Sequence, residues 1–395
     1  MGRLPLLLLS LSMALLAGCA GTLQHAPSAP PTALFADAAF KPPSEPIGSG
    51  DLFSLSPEMR AYLRSPAFAA RLREHGQKQG LLEALYSKGE LQLEYDSRVT
   101  RSAAGTFAAR SGNCLSLVIM TAAFARELGL NVRFQSVDTD ELWSRDGGLY
   151  MVSTHVNIAL GRRNAPGNYS SDAQSMLVVD FVPPPAAARM RTRELDEQDI
   201  TVLFLNNRAV EALVDGRVDD AYWWARSAVA DNPHDAAAYN TLGVIHQRHG
   251  DQALAERAFR AALEREPENL PVLQNLGPLL AAQGRAAEAQ ELARRAAAIQ
   301  PTPPYHYFDQ GMTALRQGDF ENARRMFERE VRRAPYSDEF HFWLAVAYLQ
   351  LGDAGQAREQ LALAVQHSAR GDMRELYSAK LSHLRRLDAS RIKLQ

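Results

Sequence analysis

Apolar residues recur at helical spacing, then alternate at strand spacing, then return to helical spacing, and this order predicts two folded units of different class. The period is helical from Ser56 through Leu85, and a short run Leu91-Gln92-Leu93-Glu94-Tyr95 follows. A loop Arg110-Ser111-Gly112-Asn113-Cys114-Leu115-Ser116 then opens an apolar helix that runs to Leu128 and stops at Gly129, a residue suited to a helix end. The runs Asn131 to Val137, Leu149 to Leu160 and Met176 to Val182 read as strands, with Gly147-Gly148 and Pro166-Gly167-Asn168 as turns. Helices followed by an antiparallel sheet predict an α+β domain over residues 51–195.

Past residue 200 the pattern repeats. Pro233, Pro267, Pro301 and Pro335 are spaced by 34 residues, and Ala369 falls one period later. Small residues keep the same register at Ala221, Ala255, Ala289, Ala323 and Ala357, then at Ala228, Ala262 and Ala296, and Gly243, Gly277 and Gly311 form a third column. These columns resemble the tetratricopeptide repeat family. The resemblance implies two antiparallel helices per unit and an all-α solenoid of five units over residues 200–369. Alanine at the helix crossings lets the axes approach to about 8 Å while Leu242, Leu276 and Leu344 fill the holes. Three positions depart from the pattern: Arg208 replaces the usual leucine, Glu330 the usual alanine, and Ala369 the last proline. Residues 370–395 continue as a capping helix with Leu376, Leu381, Leu384 and Leu387 among basic residues; a helix lying on a membrane surface is the other reading of those charges.

Repeats of this family bind peptides on the concave face of their first helices, which points to one column here: Asn206, Asn240, Gln274, Phe308 and Phe342. Amides pair with an extended backbone and phenylalanines take an apolar side chain, so a peptide groove is one reading. Internal packing of the aromatic pair is the other.

The apolar run Leu4 to Leu16 is too short for the roughly 20 residues of a spanning helix. With Arg3 before it, the run reads as the core of an export signal over residues 1–18. Leu16-Ala17-Gly18-Cys19 resembles the lipobox of bacterial lipoproteins, which implies cleavage before Cys19 and a lipid anchor on it. Ala20, rather than an acidic residue, follows the cysteine, so the outer membrane facing the periplasm is the expected location. An ordinary cleaved signal is the alternative. Residues 19–50 are rich in Pro, Ala and Ser and are expected to be a tether, with folded structure from Asp51.

Charge removes one class of partner. The 395 residues carry 43 Lys and Arg against 45 Asp and Glu, a net charge of −2, so no basic excess exists to neutralise nucleic-acid phosphates. A hydrophobic fraction of 46% is enough for packed cores, and two cysteines rule out a disulfide framework.

Candidate chemistry centres on the second cysteine. Cys114 stands where a loop enters a helix, and there unpaired backbone N–H groups and the helix dipole favour a thiolate. Within the α+β domain only His75 and His155 are histidines, and His75 lies in a polar run. On its strand His155 shares a face with Asn157 and Ala159, opposite Val156, Ile158 and Leu160. Asp180 is the one acidic residue in the run Met176 to Val182, and a buried aspartate needs a partner such as a histidine N–H.

The stretch Phe107-Ala108-Ala109-Arg110-Ser111-Gly112-Asn113-Cys114, the later Glu127-Leu128-Gly129-Leu130-Asn131-Val132, the His155 strand and the Val179-Asp180 strand together resemble the transglutaminase-like (papain-like) cysteine superfamily. That resemblance, over residues 95–185, implies a catalytic triad of Cys114, His155 and Asp180. Val156-Asn157 stands where the family has an aromatic after its histidine. Tyr95 is the candidate oxyanion partner, beside the backbone N–H of Cys114. No cofactor is expected, and three residues without a fourth make a poor metal site.

Two functions from different classes follow. One is a lipid-anchored periplasmic enzyme that opens an amide through a thioester on Cys114 and passes the acyl group to water or an amine. The other is a non-catalytic scaffold whose repeats gather protein or peptide partners.

Overall fold

A computed structural model describes residues 32–87, 90–146, 149–162, 176–181, 192–368 and 371–392. The export signal, Cys19, the Gly147-Gly148 and Pro166-Gly167-Asn168 turns and Ala369 lie outside the described residues.

Five helices open the α+β domain: α1 (Pro57–Leu63), α2 (Pro66–His75), α3 (Gln77–Tyr86), α4 (Ala103–Ala109) and α5 (Cys114–Glu127). Ser56 and Ser65 cap α1 and α2 by accepting the N–H groups of Met59 and Phe68, and proline takes the first helical position in both, where no donor is lost. Helix α5 is buried along one continuous stretch, Leu115 to Ala125. It is the central element of the core, which explains why its sequence is apolar all round.

Strand β3 (Asn131–Asp146) pairs antiparallel with β4 (Leu149–Gly161), and the sheet order is β5-β4-β3-β6, with β5 at Leu177–Val179 and β6 at Thr192–Leu195. The register shifts between Val137 and Leu142, opposite the segment that carries His155. Strand β6 is absent from the hydrophobic pattern because only its last residue, Leu195, is buried. A separate two-residue parallel pair joins β1 (Glu94–Tyr95) to β2 (Ser111–Gly112), setting Tyr95 opposite Gly112.

Ten helices in five antiparallel pairs follow: α6 (Glu197–Val214) with α7 (Val218–Asp231), α8 (Ala236–His249) with α9 (Gln252–Arg265), α10 (Leu270–Ala282) with α11 (Ala286–Ile299), α12 (His306–Arg316) with α13 (Phe320–Arg333), and α14 (Asp338–Gln350) with α15 (Ala354–His367). Helix α16 (Gly371–Ile392) closes the array on α15. Each pair turns through a glycine with positive φ, at Gly216, Gly250, Gly284, Gly318 and Gly352, a 34-residue column that the packing columns do not include. Gly243 serves another need: a Cβ there would stand 2.6 Å from the Phe259 ring.

The departures at Arg208 and Glu330 have structural causes. Glu330, 2% exposed, accepts the N–H groups of Tyr307 (2.8 Å) and Phe308 (3.1 Å) and an Arg333 guanidinium (2.9 Å). It therefore caps α12, whose preceding residue Tyr305 sits at φ 61 and offers no side-chain cap. Arg208 grips both oxygens of Glu45 at 2.9 Å.

That contact corrects the expected tether. Among residues 32–50, Leu34 and Phe40 are buried, Phe40 stacks on Tyr222 with ring centres 3.8 Å apart, and Ser44 binds Asp220 through both its N–H (2.7 Å) and its hydroxyl (2.6 Å). The segment is a strap across the first two repeats. Its proline and alanine content reads as disorder, but Phe40, Ser44 and Glu45 find partners on helices more than 160 residues away in sequence.

The domain and the first three repeats share one apolar core that extends from Leu34 to Leu292. A second cluster runs from Tyr305 to Ala347, and a third joins Ala345, Ala357, Leu361 and Leu381. The break falls at α11, which buries one residue, Leu292.

Candidate active site

Cys114 is the first residue of α5, and the residues behind it explain its position. Asn113, the helix N-cap, accepts the Ser116 N–H at 2.9 Å and the Ser116 hydroxyl at 2.8 Å. Its own amide donates to the Thr100 hydroxyl at 2.7 Å, and the Ser116 hydroxyl accepts the Arg101 N–H at 2.9 Å. Thr100, Asn113 and Ser116 are all buried, so this network is shielded from water, where hydrogen bonds hold geometry best. Gly112 is required by space: a Cβ on it would lie 2.6 Å from the Ser116 Cβ.

His155 comes from β4 and is 6% exposed. Its Nε2 lies 2.9 and 3.0 Å from the two oxygens of Asp180, which follows β5 directly. Cys114 is the second polar neighbour that acts on the ring, and like Asp180 it favours the charged form. Burial is the largest influence on this imidazole and favours its neutral form. The hydrogen bonds from Asp180 and Cys114, with their charges, outweigh burial and raise the ring's pKa to about 9. An imidazolium at neutral pH is the result.

Asn157, in the place of the family's aromatic, donates to Asp180 at 3.4 Å, so it supports the same carboxylate from the same strand face. Tyr86 donates to the Asp180 carbonyl at 3.4 Å; burial first, and the Asp180 charge second, push its hydroxyl up to about 12. Tyr95 neighbours Cys114, and burial first and the Cys114 sulfur second raise the pKa of its hydroxyl. Asn157 and Tyr86 were not among the residues singled out from the sequence. Asn157 shares the His155 face by strand alternation, a usable signal, whereas Tyr86 ends a helix and carries none. Among the described residues no group of three or more His, Cys, Asp or Glu is arranged to hold a metal ion.

In the column offered as a peptide groove, Phe308 takes the other reading, internal packing. Phe308 is 3% exposed and packs edge-on to Tyr305 and against Phe327 and Phe340. Phe342 stacks on Tyr377 of α16, ring centres 5.1 Å apart. Asn240 accepts from Asn275 at 3.0 Å, and the amide oxygens of Asn206 and Gln274 are buried without a hydrogen-bond partner among the described residues. Phe308 is enclosed by aromatics of its own and neighbouring helices, Phe342 is half-buried against Tyr377, and no 34-residue column reveals that.

Sequence models of the tetratricopeptide repeat match residues 236–269, 275–295 and 308–372. The C-terminal half carries tetratricopeptide repeats. The chain is 28% identical over 152 residues to a TPR repeat-containing protein of Pseudomonas aeruginosa, a match covering 38% of this chain and 26% of that protein. It is 33% identical over 156 residues to cellulose synthase 2 operon protein C of Komagataeibacter xylinus, covering 34% of this chain and 12% of that protein. It is also 29% identical over 104 residues to human tetratricopeptide repeat protein 7A, covering 26% and 12%. The matches therefore span about a quarter or less of these relatives' own lengths. Among solved structures, PilF of Pseudomonas aeruginosa is similar at 21% identity and a TM-score of 0.28, covering 48% of this chain and 94% of that one. A TPR protein of Thermus thermophilus is similar at 21% identity and a TM-score of 0.30, covering 45% and 97%.

Proposed function

We propose that this protein is a lipid-anchored envelope enzyme that opens amide bonds through a thioester on Cys114, with its repeats binding a protein or peptide partner. One observation carries the reading: His155 is paired through Nε2 with Asp180 and has Cys114 as its other polar neighbour. In the first half-reaction the Cys114 sulfur attacks the amide carbon, the oxygen charge gathers near the Cys114 N–H and Tyr95, and the imidazolium of His155 gives its proton to the departing amine. In the second, neutral His155 takes a proton from water, or from an acceptor amine, as that group attacks the thioester and releases the thiol. Asp180 fixes the ring throughout. Water, at about 55 M, is the default acceptor unless the site excludes it. The anchor is Cys19, and the lipobox supports an outer-membrane location facing the periplasm.

A second reading is a scaffold without chemistry. It is favoured by the family-model matches, all of which fall in the repeats, whose general work is binding proteins or peptides. Iodoacetamide separates the two. In a chain carrying Cys19→Ser, Cys114 is the sole cysteine and is expected to alkylate near neutral pH far faster than a free thiol of pKa about 8.5, with the rate falling in His155→Ala. A rate equal to that of glutathione, unchanged by His155→Ala, establishes the scaffold instead.

A further inference from the structure

The nucleophile's network does not end inside its own domain. Glu211, on the first repeat helix α6, accepts the backbone N–H of Thr100 at 2.7 Å with one oxygen and an Arg208 guanidinium at 2.9 Å with the other. Thr100 in turn receives the Asn113 amide at 2.7 Å, and Asn113 is the cap of the helix that Cys114 begins. Arg208 holds Glu45 of the strap.

We propose that the first helix of the repeat array is a working part of the cysteine site, with Glu211 acting as a positioning residue that holds the nucleophile's loop through Thr100 and Asn113. This rests on the reading of Cys114 as a nucleophile. A carboxylate largely withdrawn from water, as the Glu211 side chain is at 16% exposure, is costly unless satisfied, and an ion pair with Arg208 alone would leave one oxygen unused. Glu211 commits that oxygen to a peptide N–H 111 residues earlier in the chain, in the irregular stretch between β1 and α4. That stretch has no helix or strand to fix it; Glu211 holds the Thr100 N–H, and the Ser116 hydroxyl holds the next one, that of Arg101. Without Thr100 the Asn113 amide N–H loses its acceptor and the side chain is held only through its oxygen by Ser116, so the cap weakens in the first turn of α5, at the residue that bears the sulfur. The repeats are thus coupled to the sulfur, and a partner that shifts α6 acts on its position.

The test uses the full chain with Cys19→Ser and follows iodoacetamide alkylation of Cys114 from about pH 5 to 9 alongside thermal unfolding. Glu211→Gln keeps an oxygen for the Thr100 N–H and is expected to stay within about threefold of the parent rate. Glu211→Ala and Thr100→Val are expected to lose roughly 10- to 100-fold, the scale on which a misplacement of about 1 Å acts, and to move the pH dependence toward that of a free thiol. A purely structural role would lower the melting temperature and leave the pH dependence of the folded protein unchanged, and that result overturns the proposal. If Glu211→Ala does not fold, Thr100→Val decides alone, because it leaves Glu211 in place. A parent that alkylates no faster than glutathione removes the nucleophile reading and this proposal with it, whereas a fast parent with indifferent variants removes only the proposal.

Discussion

His155 presents its Nε2 to both oxygens of Asp180, at 2.9 and 3.0 Å, from a neighbouring strand and out of contact with bulk water. The pairing makes the charged ring the favoured form and links it to stability. A histidine pKa raised from about 6.5 to about 9 contributes stability that is fully present below about pH 6.5 and lost as pH rises through about 9. At about 1.4 kcal/mol per unit the contribution is about 3 kcal/mol. Urea unfolding of the parent and of His155→Gln is expected to show a gap that shrinks by that amount between pH 6 and pH 10. A gap independent of pH contradicts the charged pair.

Glu330 replaces the small residue usual at its place in the repeat, so Glu330→Ala restores the family pattern. It is nevertheless expected to destabilise by about 1 to 3 kcal/mol, because the N–H groups of Tyr307 and Phe308 lose their buried acceptor. Denaturant midpoints measure this. A neutral or stabilising result shows that water caps α12 equally well.

Phe308→Ala is expected to cost about 3 to 5 kcal/mol, as a buried ring in an aromatic cluster does. Phe342→Ala removes a half-buried ring and is expected to cost less, with the loss appearing as faster amide exchange in α16, whose Tyr377 it supports. If both changes were harmless to stability and weakened capture of a peptide, the groove reading would return.

If Cys19 carries the proposed lipid anchor, Cys19→Ser is expected to move the protein from the membrane fraction to the soluble fraction or to block its processing. Unchanged membrane association with a mature chain beginning elsewhere removes the anchor.

The 34-residue columns, the helix that starts at Cys114, the strand bearing His155 and the short strand that ends just before Asp180 are legible in the sequence, because each depends on spacing within a single element: proline and glycine ends, alanine crossings and strand alternation. What spacing could not carry was which distant surfaces meet. The strap was read as a tether because its composition is that of a disordered segment, yet Phe40 and Glu45 find partners on helices formed far later in the chain. Phe308 and Phe342 sit in the column that faces a peptide in the repeat family, and only the neighbouring helices reveal that the first ring is enclosed and the second stacks on Tyr377. Arg208 and Glu330 looked like flaws in a repeat for the same reason, since the partners that make them favourable lie outside the 34-residue window. Local periodicity determines which elements form, whereas the pairing of buried charges and rings is decided by desolvation, and desolvation exists only once the elements have packed.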